Sequence, residues 1–143
     1  MSNGSLSYNQ TLAKRWKKEH REIVALASKI LSDYEENKEE LLSKDIENLN
    51  ELTSSHLMDE DVEFYKFLML EDSLDNEIKD LIEEFIETFE ETKLALMDFL
   101  TKYTLPNTIY DQEFIDTFKD LVDVLIKRIS YEESNLYKIL QEK

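Results

Sequence analysis

His56 and Glu60 stand four residues apart. On a helix that spacing sends both side chains off one face, one turn apart. An imidazole nitrogen and a carboxylate oxygen so placed can ligate one metal ion, and iron, zinc and manganese all accept such donors. The chain's other histidine, His20, falls between Trp16 and Ile23 in an apolar stripe. Glu132 and Glu133 lie at the edge of a later stripe, between Ile129 and Leu136. Acids are rarely fully buried unless paired or bound to a metal. Each residue also has a plainer reading. His20 is then a core-edge side chain, His56 and Glu60 a coincidence in an acidic helix, and Glu132 and Glu133 a solvated pair.

Long helices must carry these residues. The chain has one Gly and one Pro, too few for the turns of a sheet and well suited to helix interiors. Leu12, Trp16, Ile23, Ala27, Ile30 and Tyr34 recur at helical steps, which predicts a first helix over about 6–34. A turn at 35–37 leads to a second helix over about 39–70, with Leu42, Leu49, Leu52, Phe64 and Phe67 inward. Ser54 and Ser55 weaken it locally. After a turn near 71–73, Ile78, Ile82, Phe85, Phe89, Leu96 and Phe99 mark a third helix to about 102, which holds no histidine. Tyr103 to Asp111, around Pro106, is the one long loop. Asp111 caps the fourth helix, whose stripe is Phe114, Phe118, Leu121, Leu125, Ile129 and Leu136.

The expected fold is all-α, an antiparallel up-down four-helix bundle formed as a single domain over 1–143, with residues 1–5 frayed. Folding the chain about a turn near residue 38 sets His20 opposite His56. Further pivots near 72 and 106 bring Glu60, Glu84 and Arg128 to one level.

Composition removes several function classes. The chain of 143 residues has no cysteine, which excludes disulfides, thiolate ligands and a cysteine nucleophile. A formal charge of −16 repels phosphate backbones and anionic lipid, so neither nucleic acid nor membrane is an expected partner. No apolar run is long enough to span a bilayer, the start is unlike a signal peptide, and a cytoplasmic location is the expectation. No glycine-rich anion loop or nucleophile elbow supports an enzyme. Neither histidine has a glutamate three residues before it, unlike ferritin-like di-iron helices.

Three stretches carry a family resemblance. The segment from Trp16 to Ile23, containing His20, resembles the first-helix histidine motif of hemerythrin-like, HHE cation-binding domains. The segment from His56 to Glu60 resembles their second-helix motif, and that from Leu125 to Tyr137 their fourth helix. The resemblance implies a four-helix bundle with non-heme iron, a role in oxygen or iron sensing, and His20, His56, Glu60 and either Glu132 or Glu133 as ligands. The chain also departs from the pattern. Arg128 stands where the fourth-helix histidine belongs, and the third helix offers only acids such as Asp75, Glu83 and Glu84. A five-histidine site is excluded. Either a reduced metal site survives, or the site is vestigial and Arg128 replaces the cation among Glu60 and Glu132. The competing class is a metal-free interaction module that binds a protein partner or forms a homodimer. In that reading Tyr103, Leu105, Ile109 and Tyr110 are the apolar cluster to watch; otherwise they cap the bundle end.

Overall fold

The computed structural model describes residues 7–70 and 76–138, apart from the side chains of Phe67, Leu70 and Ile78. It is all-α. Four long helices follow one another: α1 (Tyr8–Glu35), α2 (Glu39–Leu70), α3 (Asn76–Tyr103) and α4 (Gln112–Tyr131), the last running on into a π-helical turn over Glu132–Leu136. Residues 1–5, the 71–73 turn, Asp75 and the inward placement of Phe67 and Ile78 fall outside the described residues.

Each helix packs on its neighbours in order, and α1 closes the ring against α4, which makes an up-down four-helix bundle. At about 1.5 Å per residue, α1 spans about 42 Å.

Local chemistry sets the helix ends. The Ser7 hydroxyl accepts from the Gln10 amide at 3.1 Å, and the Gln10 side chain accepts from the Ser7 amide at 3.0 Å. This reciprocal pair satisfies donors that the first turn cannot. At the other end of α1, Asn37 takes a positive φ of 57°. The Lys38 amide then donates to the Asp33 carbonyl at 2.9 Å and the Asn37 amide to the Tyr34 carbonyl at 3.2 Å. These two bonds form the Schellman closure, and a short-side-chain residue suits its left-handed position. Asp111 caps α4, accepting from the Phe114 amide at 3.0 Å. The helix α2 runs unbroken through Ser54 and Ser55; Thr53 turns its hydroxyl back onto the Leu49 carbonyl and Ser54 onto the Asn50 side chain.

Two apolar clusters divide the core along the bundle axis. One gathers Ile23, Ile30, Leu42, Leu49, Leu96, Phe99, Phe114 and Phe118 toward the α1–α2 turn and the α3–α4 loop. The other gathers Leu12, Trp16, Phe64, Ile82, Phe85, Leu136 and Tyr137 at the opposite end. In each of α1, α2 and α4 the residues between the two clusters include buried polar ones: His20, then His56 and Glu60, then Arg128 and Glu132. A polar layer therefore crosses the core.

The α3–α4 loop splits the cluster expected there. Tyr103 is buried and Tyr110 half-buried, and both rings pack on Phe114 to close the bundle end. Leu105 and Ile109 stay exposed, at 58% and 77%.

The Asp111 cap is a single side-chain bond to an exposed helix end. Asp111→Ala is expected to cost about 1 kcal/mol in urea denaturation, with Asp111→Asn near wild type.

Candidate metal centre

Three helices meet in the polar layer. His20 enters from α1, His56 and Glu60 from α2, and Arg128 and Glu132 from α4 and the π turn that follows. All five are buried, and Glu60 has no exposed surface. His20, His56, Glu60 and Glu132 each offer a donor atom, and these four atoms lie within 4.8 Å of one another. Such a cluster can hold a metal ion.

The histidines are oriented from outside. His20 Nδ1 lies 2.7 Å from Glu133 Oε2, and His56 Nδ1 lies 2.6 Å from Glu19 Oε1. A carboxylate at the outer nitrogen accepts a hydrogen bond from Nδ1–H and turns Nε2 inward, as the partners of metal-bound histidines do. The inner nitrogens, His20 Nε2 and His56 Nε2, are 3.0 Å apart. Two donors at about 2.1 Å from one ion, at right angles, stand about 3.0 Å apart.

Proton occupancy follows from the same contacts. Burial lowers the His20 pKa, and the neighbouring His56 lowers it further, against a rise from the Glu133 hydrogen bond. Burial also opposes charge on His56, but bonding and attraction to Glu60 and then Glu19 outweigh it and raise its pKa. His20 is therefore the imidazole more easily kept neutral and His56 the one more easily charged.

The carboxylates divide likewise. Burial disfavours ionised Glu60, yet hydrogen bonds from Glu132 and His56 and the charges of His56 and Arg128 hold its pKa below the usual range. Glu132 is pushed well up by burial and by the negative charge and hydrogen bond of Glu60. One carboxylate and one carboxylic acid thus lie side by side, as like charges in close contact require.

Arg128 enters from the far side. Its Nε donates to Glu132 Oε1 at 3.4 Å, and its Nη2 lies 3.7 Å from Glu60 Oε1. The guanidinium rests over the Phe85 ring, 5.0 Å from the centroid. The third helix contributes this ring in place of a ligand. Glu83 and Glu84 are exposed, and Asp75 lies outside the described residues. Glu60 Oε1 is buried, with His56 Nε2 at 3.1 Å and Arg128 Nη2 at 3.7 Å, neither aligned as a hydrogen bond. Such an atom is costly unless a cation meets it.

The donor set fits one ion that favours nitrogen and oxygen ligands. It does not fit two. The space beside Glu60 and Glu132 where a second ion would need histidines holds a guanidinium, which cannot ligate.

Sequence reasoning left Glu132 and Glu133 open. The structure sends Glu132 into the cluster and Glu133 to the outer nitrogen of His20. It also adds residues that spacing did not single out. Glu19 precedes His20 and so faces away from it, reaching His56 on the next helix. Trp16 packs edge-on to His56 at 6.4 Å and donates through Nε1 to Asp59 Oδ2 at 2.8 Å. The Tyr137 hydroxyl donates to Glu60 Oε2 at 2.5 Å. No helical period points to Tyr137.

Residues 11–140 match the family model described as the hemerythrin HHE cation binding domain. No match was found among curated proteins or solved structures.

Removing the guanidinium leaves two carboxyl groups without their cation. In chelator-treated protein Arg128→Ala is expected to lose about 3–5 kcal/mol of stability by urea denaturation. A second expectation concerns pH. Glu132 has a folded pKa raised above its ordinary 4.5, so the stability it confers is complete below that value. It is lost as pH rises through the folded pKa, because only the unfolded chain ionises freely. Glu132→Gln keeps a neutral side chain at every pH. Measured against wild type without metal, the variant should therefore gain in relative stability between pH 5 and pH 8.

Proposed function

The chain belongs to the hemerythrin HHE cation-binding family, and we propose from that premise that it binds a single transition-metal ion, iron in the first instance. His20, His56, Glu60 and Glu132 would hold the ion. Arg128 takes the place of a second one. The role that follows is regulatory: a metal-responsive domain, in place of a dioxygen carrier.

The observation that carries this reading is the orientation of the histidines. A vestigial site needs no carboxylate behind each imidazole. Here Glu133 and Glu19 hold the outer nitrogens, and both inner nitrogens converge 3.0 Å apart beside the buried Glu60 carboxylate. A divalent cation in the cluster would displace protons from the side chains that ligate it. Binding therefore releases protons and strengthens as pH rises.

When bound, iron would supply redox and Lewis-acid character. The chain's own residues supply the rest. Glu19 and Glu133 fix the imidazole tautomers, and Trp16 and Phe85 wall the layer with apolar surface. Arg128 balances carboxylate charge that one ion leaves over. Because the donors come from α1, α2 and the π turn that follows α4, the ion would tie that turn to the first two helices. Metal level would then be read as the docking of that turn.

A metal-free, vestigial site is the second reading, and the Arg128 pairing with both Glu60 and Glu132 favours it. Elemental analysis and melting curves separate the two. The expected result is close to one metal per chain and a melting temperature raised by iron, manganese or zinc, with both lost in His56→Ala. A one-hundredfold excess of metal over the dissociation constant corresponds to about 2.7 kcal/mol of stabilisation. Metal-free protein with no melting shift would establish the vestigial reading. Aerobic loading with ferrous iron should give no colour that reverses when dioxygen is removed.

A further inference from the structure

Tyr137 reaches the centre through an irregular backbone. In an α-helix two residues five apart point about 140° from each other. Glu132 and Tyr137 nevertheless meet on one face, because residues Glu132–Leu136 form a π-helical turn in which the Tyr137 amide donates to the Glu132 carbonyl. The extra residue in that turn is the device that turns both side chains inward. Such bulges cost regular hydrogen bonding and recur where a side chain must be re-aimed at a functional site.

The placement is specific. Tyr137 has no exposed surface. Its hydroxyl oxygen lies 2.5 Å from Glu60 Oε2, 3.1 Å from His20 Nε2 and 3.3 Å from Glu132 Oε2. Its ring stacks on His20 with centroids 5.6 Å apart and planes 14° from parallel. Trp16 packs against its other surroundings at 5.5 Å. A buried tyrosine that only fills space needs one acceptor for its hydroxyl. This one touches three of the four donor residues, from α1, α2 and the π turn, at the separations that donors around one ion have from each other.

We propose that Tyr137 is a fifth protein ligand, binding through its phenolate oxygen, and that the site is thereby built for ferric iron. The inference rests on the single-ion reading above. On binding, the phenol O–H bond breaks and an oxygen–iron bond forms. The displaced proton is released to solvent, and iron enters already oxidised, so no electron is transferred. An anionic oxygen donor added to two carboxyl groups favours the trivalent ion over the divalent one. Hydrogen bonding of the phenol to Glu60 before the ion arrives keeps the oxygen in position.

The test uses the full chain loaded with ferric iron from a nitrilotriacetate complex, with free complex removed. Wild type should show a visible phenolate-to-iron charge-transfer band, with resonance-enhanced tyrosine ring vibrations when excited within it. Tyr137→Phe keeps the stacking ring and should retain near-stoichiometric iron while losing the band at least tenfold. A band that persists in Tyr137→Phe would assign it to another tyrosine and overturn the proposal. Iron bound to wild type without phenolate vibrations would overturn it as well, yet leave the single-ion reading standing. No iron on wild type would overturn both. Should Tyr137→Phe fail to fold, wild type carrying ring-deuterated tyrosine at position 137 alone decides the case: the enhanced vibrations must shift, and unshifted or absent modes overturn the proposal.

Discussion

A carboxylate buried with no exposed surface governs this bundle. Glu60 cannot remain ionised among packed side chains unless positive charge or hydrogen-bond donors replace water. Its surroundings answer that demand from several directions. Protonated His56 stands beside it on α2, Tyr137 donates from beyond the π turn, Glu132 shares a proton with it, and Arg128 lies against the same oxygen that lacks an aligned donor. Removing any one of these leaves the others miscounted in charge. The polar layer is therefore a single electrostatic unit whose members are not separable into independent pairs.

That unit explains how a four-helix bundle with few histidines can retain a cation-binding arrangement. Two ions would need more nitrogen donors than this chain has. A guanidinium needs none: it carries its own charge, forks toward two carboxyl groups and rests over an aromatic ring. Phe85 on α3 supplies that ring. The third helix thus serves the centre as a surface for a cation and not as a ligand donor.

The helices were legible because their signals are local and repeated. Apolar residues at helical steps, a scarcity of Gly and Pro, and Asp111 before Phe114 fix four elements with little dependence on tertiary contact. The facing of His20 and His56 was also readable, since a short α1–α2 turn sets register by arithmetic alone. What spacing could not supply lies past residue 131. A period of 3.6 leaves Glu132 and Glu133 equivalent at a stripe edge, and it turns Tyr137 away from Glu132. Only the change to a wider turn separates the two acids into an inner and an outer role and brings the tyrosine in. Glu19 was hidden for a different reason: its partner is on another helix, and no single-helix pattern records a cross-helix bond.

The separation of the core into two apolar clusters has a mechanical meaning. Cooperative unfolding needs contacts that run without interruption, and here the continuity between the clusters passes through titratable groups instead of hydrocarbon. The end closed by Phe99, Phe114 and Phe118 has its own dense aromatic packing and a capped entry to α4. The end that holds Trp16, Phe85 and Tyr137 depends on the layer to bind the π turn that follows α4. The bundle thus has two apolar ends joined across a layer of titratable groups, and amide exchange measured in each end would report how strongly that layer couples them.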